Sequence, residues 1–292
     1  MALMPIERGK IREYAVATEN GRPEYLDDPR AFVPPTFLAT VVFWEQLTEA
    51  VRSPRAERAF TELGIRPDVR RLLSAEQEYL FHGPPPRAGD QLLTSLRFDR
   101  VSEKSGRHGR MLFVYFTVEF HDGTGALCAE CRYTSAYLTG DQDATGRNAR
   151  APSGGIGPTR SGAVRGVLPE RWFGPVTLTD IVRYQGASGD LNPMHHDDEL
   201  ARSAGYPEAF SVGMLGAGYL AAYCTDRYAP DSVRRFRSRF RELVWRGDRL
   251  LATGRVADER TVDGERREVL ELRLTTDTGA VAVEGAAEFA SG

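Results

Sequence analysis

The chain has 292 residues, roughly two domains' worth, with 41% hydrophobic and 27% charged side chains, so it can bury an ordinary globular core. The formal net charge of −3 argues against nucleic acid or an anionic membrane as the main partner. No apolar run reaches the roughly 18 residues a membrane helix needs, and the N-terminus lacks a signal-peptide core, so a soluble cytoplasmic protein is the default expectation.

Taken in chain order, the sequence repeats itself. Moved along by 170 positions, Tyr14 meets Tyr184, Ala17 meets Ala187, Thr18 meets Ser188, Pro23 meets Pro193, and Asp27-Asp28 meets Asp197-Asp198. Further on, Ala31-Phe32 matches Ala209-Phe210, and Gly89-Asp90-Gln91-Leu92-Leu93 matches Gly247-Asp248-Arg249-Leu250-Leu251. Asp122–Ala126 matches Asp277–Ala280. Four matches in one order imply two copies of one unit of about 130 residues. The expected division is 1–138, a linker at 139–164 too poor in large apolar residues to bury a core, and 165–292.

Each copy reads as a short helix, an irregular loop, an apolar helix and then long strands. In the first copy, Gly109–Phe120 and Ala126–Leu138 read as a hairpin around Asp122-Gly123. Cys128 and Cys131 fall in the second of these strands and point to opposite faces, so C-x-x-C there reads as two reduced thiols rather than half of a zinc site. In the second copy, Thr179 is the expected N-cap of a helix from about Asp180 to Ala187, and Asp197 the cap of a helix at Asp198–Ala204. Gly213–Thr225 is apolar nearly all round, as a fully buried helix is, and Gly216, Ala217 and Gly218 would let it approach a sheet closely. Strands follow at about 235–245, 248–261, 266–276 and 280–290. The run Arg234, Arg235, Arg237, Arg239 and Arg241, alternating with Phe236 and Phe240, reads either as the solvated face of a strand or as phosphate steering for a CoA or carrier-protein group.

Residues 184–195 read Tyr-Gln-Gly-Ala-Ser-Gly-Asp-Leu-Asn-Pro-Met-His. They place a carboxylate, Asp190, and an imidazole, His195, where the two could position and activate one water molecule. Asn192 carries an amide that does not titrate and reads as an orienting hydrogen-bond residue. His196 reads as solvated. No further His or Cys lies at ligand spacing around His195 to make a metal site, and no G-x-S-x-G elbow is present.

This D-x-N-P-x-H core, with Gly213-Met214-Leu215 after it and Gly247-Asp248 later, resembles the MaoC-like (R)-specific enoyl-thioester hydratase family. The resemblance covers about residues 165–292. The first copy, with Pro34-Pro35-Thr36-Phe37, resembles the degenerate N-terminal half of double hot-dog dehydratases. The resemblance implies an α+β fold of two tandem hot-dog domains, each an antiparallel sheet wrapped around a buried helix. It implies a hydro-lyase that interconverts trans-2-enoyl and (R)-3-hydroxyacyl thioesters. Asp190 and His195 would be its catalytic pair and the Gly213 N–H its oxyanion donor, with an acyl-CoA or acyl-carrier-protein substrate and no cofactor or metal. A homodimer fits the same class. Where many family members carry histidine before that glycine, this chain has Val212.

In the first copy, Asp190 corresponds to Asn20, Asn192 to Arg22, His195 to Tyr25 and Gly213 to Pro35. Asparagine is no base at neutral pH and proline has no N–H to offer, so one active site per chain is expected, with the first half shaping an acyl-chain tunnel. Two other classes remain: a hot-dog acyl thioesterase, and a non-catalytic acyl-binding subunit.

Overall fold

A computed structural model describes residues 2–43, 53–64, 72–106, 109–138 and 166–291. In the first half, strand β1 (Ala2–Pro5) leads into helix α1 (Arg8–Ala17), the single turn α2 (Pro23–Leu26), a 3-10 turn (Phe37–Thr40) and α3 (Pro54–Glu62). Four long strands are β2 (Leu72–Phe81), β3 (Gln91–Gly106), β4 (Gly109–His121) and β5 (Leu127–Leu138). The second half repeats the plan with β6 (Arg171–Phe173), α4 (Leu178–Ser188), a 3-10 turn (Pro193–His195), α5 (Asp198–Ser203) and α6 (Gly213–Thr225). It closes with β7 (Val233–Phe240), β8 (Leu250–Val262), β9 (Glu265–Thr276) and β10 (Val281–Ala290).

The ten described strands form one antiparallel sheet in the order β1-β3-β4-β5-β2-β7-β10-β9-β8-β6. The halves meet edge to edge where β2 pairs with β7, Gln77 opposite Ser238 and Tyr79 opposite Phe236. Each half therefore supplies the partner for a strand edge that the other would leave unpaired.

The repeat holds at the level of single hydrogen bonds. Ile6 N–H donates to Asp90 O (2.8 Å) and Gly89 N–H to Ile6 O (2.8 Å); Val176 N–H donates to Asp248 O (2.9 Å) and Gly247 N–H to Val176 O (2.8 Å). Phe32 bridges Arg87 as Phe210 bridges Trp245. The matched tyrosines meet where the halves join: the Tyr14 and Tyr184 hydroxyl oxygens lie 3.3 Å apart, with ring centroids 5.6 Å apart.

Helix α6 begins and ends where its composition places it. Every residue from Met214 to Thr225 is buried, and a Leu220→Ala truncation there falls in the range of about 2–5 kcal/mol. Its small residues serve two surfaces. A Cβ on Gly216 would press on Leu274 and Val283 of the sheet at 3.2 Å, but one on Gly218 would strike Thr18, the C-cap of α1. The expected close approach to a sheet thus holds for Gly216, while Gly218 makes room for the other half's helix. The apolar helix expected in the first copy falls mostly outside the described residues, and the expected linker 139–164 falls wholly outside them. Of that helix region, Val41 and Val42 are described and buried.

Two local expectations are corrected. The N-cap of α4 is Thr177, not Thr179, and the helix runs from 178 to 188. Asp180 at N3 decides this, because its carboxylate accepts the Thr177 N–H (2.9 Å) while Thr177 Oγ1 accepts the Asp180 N–H (3.2 Å). The strand expected to run to 245 stops at Phe240, because the chain must turn to bring Trp245 beside Phe210.

The arginine run on β7 is neither free for phosphate nor merely solvated. Arg235 binds Glu78 (2.7 Å) and Glu288 (3.2 Å), Arg237 and Arg239 both bind Glu76, Arg234 binds Glu265 and Arg241 binds Glu284. Glu76 and Glu78 lie on β2, so the pairs that Arg235, Arg237 and Arg239 make with them cross the seam between the halves. Cys128, Cys131 and Cys224 are free thiols. Among the described residues no helix is long and apolar enough to cross a membrane.

Partial burial pushes the Glu76 carboxyl up, but hydrogen bonds and charge from Arg237 and Arg239 outweigh it and hold the group below its ordinary 4.5. A depressed carboxylate stabilises the fold above its unfolded-state pKa, and that stability is lost as pH falls through the folded-state value. Glu76→Gln is expected to cost about 1 kcal/mol at neutral pH, because these pairs are half-exposed. The gap from the wild type should close as pH drops below 4.5. Urea melts at graded pH measure this, and a gap that widens in acid would contradict it.

Candidate active site

The motif loop starts where α4 ends. Gly189 takes the left-handed conformation (φ 82°) that ends the helix and turns the chain sharply, a geometry glycine adopts without Cβ strain. Ser188 Oγ accepts the Asp190 N–H (3.2 Å), and Asp190 Oδ1 accepts the Asn192 N–H (3.3 Å). Asn192 Oδ1 in turn accepts the Met194 N–H (3.1 Å) and caps the 3-10 turn that carries His195. Asn192 therefore acts on His195 through the backbone. Asp197 caps α5 as expected, accepting from the Glu199 and Leu200 N–H groups.

Asp190 and His195 are both buried, each 8% exposed. They lie close enough to interact electrostatically. Burial raises the Asp190 carboxyl above its ordinary 3.8 and lowers the His195 imidazole below 6.5; the partner charge opposes each change without cancelling it. His195 Nδ1–H donates to Phe210 O (2.9 Å). A carbonyl only accepts, so Nδ1 carries the proton and, in the neutral ring, Nε2 is the acceptor. That bond anchors His195 three residues before Gly213.

Gly213 is the first residue of α6 and is exposed, whereas Ser211 and Val212 before it and the helix after it are buried. A first-turn N–H has no intrahelical acceptor, and the helix dipole favours negative charge there. Phe240 restricts the position, since a Cβ on Gly213 would lie 3.2 Å from its ring. Val212 is buried, and its side chain caps nothing. Among the described residues no cluster of three or more His, Cys, Asp or Glu side chains could hold a metal ion.

Gln185 is a residue of this site that the sequence pattern does not single out. It sits in the last turn of α4, is 2% exposed, and its amide spans the motif loop. Nε2 donates to Asp190 O (2.8 Å) and Asn192 O (3.0 Å), while Oε1 accepts from His196 Nδ1–H (2.8 Å). His196, expected to be solvated, is exposed yet held. The one available signal was a polar residue on the buried side of a helix, directly after Tyr184.

The corresponding residues of the first half do different work. Asn20 Nδ2 donates to Thr225 Oγ1 (2.9 Å), and Arg22 donates to the carbonyls of Thr225 and of Tyr228 (3.1 Å). Tyr25 is buried beside them. Where the second half holds its Asp/His pair, the first half grips the C-terminal end of α6, with a cation at the negative end of the helix.

Ten described strands in one antiparallel sheet around a buried helix, with an Asp/His pair tied to the approach of that helix's N-terminus, define a double hot-dog protein with one motif-bearing half. Comparison with known proteins agrees. Residues 167–278 match the MaoC like domain, and residues 3–131 match the FAS1-like dehydratase domain region. A solved MaoC-like dehydratase superposes with a TM-score of 0.75 at 20% identity, covering 98% of this chain and 95% of that one. A Mycobacterium tuberculosis protein described as having a double hotdog fold superposes at 0.63 with 14% identity, covering 99% and 93%. The mouse peroxisomal multifunctional enzyme type 2 is 24% identical over 197 residues, 64% of this chain but only 24% of its own length. This chain thus spans about a quarter of that relative. Residues 167–278 thus form a MaoC like domain and residues 3–131 a FAS1-like dehydratase domain region, joined in a double hot-dog fold like that of the solved MaoC-like structures.

Arg22→Ala is expected to lower stability by about 1–2 kcal/mol through loss of the α6 clamp, or about 2–8 °C in Tm for a chain of this size. Arg22→Lys should recover part of the loss. Calorimetry decides, and an unchanged Tm in Arg22→Ala would refute the clamp.

Proposed function

We propose that the chain is a hydro-lyase that adds water reversibly across trans-2-enoyl thioesters to give (R)-3-hydroxyacyl thioesters, with CoA or a carrier protein as the thiol handle. The observation that carries this reading is the buried Asp190/His195 pair, whose imidazole is held as the Nδ1–H tautomer beside the approach to the exposed N-terminus of α6. The match of both halves to dehydratase models supports it.

In this mechanism one water sits between the pair. His195 Nε2 accepts one of its hydrogens and the Asp190 carboxylate the other. As the water oxygen bonds to the β carbon, the pair takes one proton, and the carbon–carbon π electrons move toward the thioester oxygen. The Gly213 N–H stabilises that oxygen; one such donor is worth about 2.7–4 kcal/mol. The proton held by the pair then passes to the α carbon, so the pair ends as it began. Burial suits both groups to proton transfer, since it makes Asp190 a stronger base than in water and keeps His195 neutral.

Residues 165–292 form the catalytic unit in this reading, 139–164 the linker, and 1–138 the half that shapes the acyl-chain tunnel. Asn20, Arg22 and Tyr25, all bound up with the far end of α6 or buried beside it, carry none of the chemistry, so each chain has one active site.

Asp190→Asn and His195→Ala should each lower turnover of enoyl-CoA or enoyl-carrier substrates by about 10²–10⁴-fold with folding intact. Loss of the enoyl absorbance band and chiral analysis of the product measure it. Wild-type turnover in both variants would overturn the proposal, and release of free thiol without change at the enoyl band would replace it with a thioesterase.

The acid limb of kcat/KM should reflect joint titration of the pair. Because the Asp190 carboxylate is the base and burial raises it, activity should fall with decreasing pH along a limb above its ordinary 3.8. An acid limb at or below 3.8 would contradict the assignment.

A further inference from the structure

We propose that Gln185 is the positioning residue of the Asp190/His195 pair, and that the exposed His196 braces its amide from the surface; the kinetic part of this rests on the hydratase reading above.

Within the motif loop Leu191 N–H donates to Gly189 O, His195 N–H to Asn192 O and His196 N–H to Pro193 O, but no backbone N–H among the described residues donates to the Asp190 carbonyl. The carbonyls of Asp190 and Asn192 both turn back toward α4, and the group that meets them is the Gln185 amide, buried to 2% exposure. Each of its two N–H donors has a carbonyl within 3.0 Å. A buried carbonyl left without a donor costs about 1–3 kcal/mol, so the loop is biased toward the shape that presents the Asp190 carbonyl to Gln185, while the Asn192 carbonyl takes Gln185 beside the His195 N–H (3.2 Å). Asp190 is one of the two residues held in this way. His195 lies between the other, Asn192, and His196, whose ring is the third partner. The clamp therefore grips the loop on both sides of His195 and at Asp190 itself.

An amide has two ends, and only one orientation works. Rotated by 180° about its terminal bond, Gln185 would set its oxygen against the carbonyl oxygens. The two carbonyls, which can only accept, fix that orientation and leave Oε1 2.8 Å from His196 Nδ1, which therefore donates and braces the amide from its other end. His196 thus acts on the pair through Gln185, from the surface and without touching the reaction. The neutral Nδ1–H tautomer and the imidazolium both donate at Nδ1, so the clamp holds whether or not His196 is protonated.

Three substitutions separate the parts. Gln185→Met keeps the volume and removes every bond. Gln185→Glu keeps the acceptor for His196 but turns carboxylate oxygens toward the two carbonyls until it is protonated. His196→Ala removes only the surface partner. In Gln185→Met, kcat is expected to fall about 10–100-fold, since a 1 Å misplacement can cost about 10²-fold, with KM within about twofold. His196→Ala should show a smaller loss of kcat with Tm unchanged. Gln185→Glu should have its pH optimum moved to the acid side, because protonation returns one donor to the loop.

Two readouts need no substrate. The His195 titration midpoint, followed by NMR, should rise toward the ordinary imidazole value in Gln185→Met as the ring loosens from its buried place. Amide hydrogen exchange across 189–196 should quicken in the same variant, and elsewhere stay as in the wild type. An unchanged His195 midpoint and unchanged loop exchange in Gln185→Met would overturn the proposal. So would unchanged kcat in Gln185→Met for a wild type that turns over. A wild type inactive on every enoyl thioester would sink the hydratase reading instead, leaving the clamp to be judged by the two substrate-free measurements.

Discussion

The ladder between β2 and β7 is the constraint on which the rest of this molecule depends. Neither half can end its sheet at that edge without exposing a row of backbone donors and acceptors. Once the two edges pair, the inner faces of the sheet become continuous, α1 and α4 are brought together, and Tyr14 meets Tyr184. The outer face of the same seam is secured by arginines of β7 on the carboxylates of Glu76 and Glu78. Each of these pairs contributes little, being half-exposed, but together they favour the register that sets Gln77 opposite Ser238.

That register gives α6 two different ends. Its N-terminus, at Gly213, follows the segment that anchors His195 through the Phe210 carbonyl. Its C-terminus, at Thr225, is gripped by Asn20 and Arg22 from the other half. The residues that stand in the first copy where the second has Asp190 and Asn192 are therefore not simply emptied of chemistry. They hold the far end of the same helix. A duplicated scaffold with one intact motif becomes asymmetric in this way: one copy presents the pair, and the other holds the helix beside it.

Much of this was legible in the chain alone. The 170-residue repeat, both ends of α6, the Asp197 cap and the antiparallel hairpins rest on local composition and on short turn chemistry, which operate within a few residues. The Asp-x-Asn-Pro-x-His spacing likewise put Asp190 and His195 on one loop. The departures share a cause. Thr179 and Thr177 are both plausible caps until the Asp180 carboxylate is seen to reach back to Thr177. The arginine run could not be interpreted without knowing that carboxylates from a strand more than 150 residues away lie beside it. Gln185 looked like any polar residue in a helix until its amide was found between two carbonyls.

By itself, then, the sequence determined the duplicated unit, most of the elements within it and which copy carries an Asp and a His at motif spacing, because these follow from periodicity, capping and side-chain chemistry near in the chain. Only the tertiary structure decided how the pair is held: the His195 tautomer, the Gln185 clamp, and the capture of α6 by Asn20 and Arg22. Those depend on which carbonyls and side chains distant parts of the chain bring within hydrogen-bonding reach, and no local pattern encodes that.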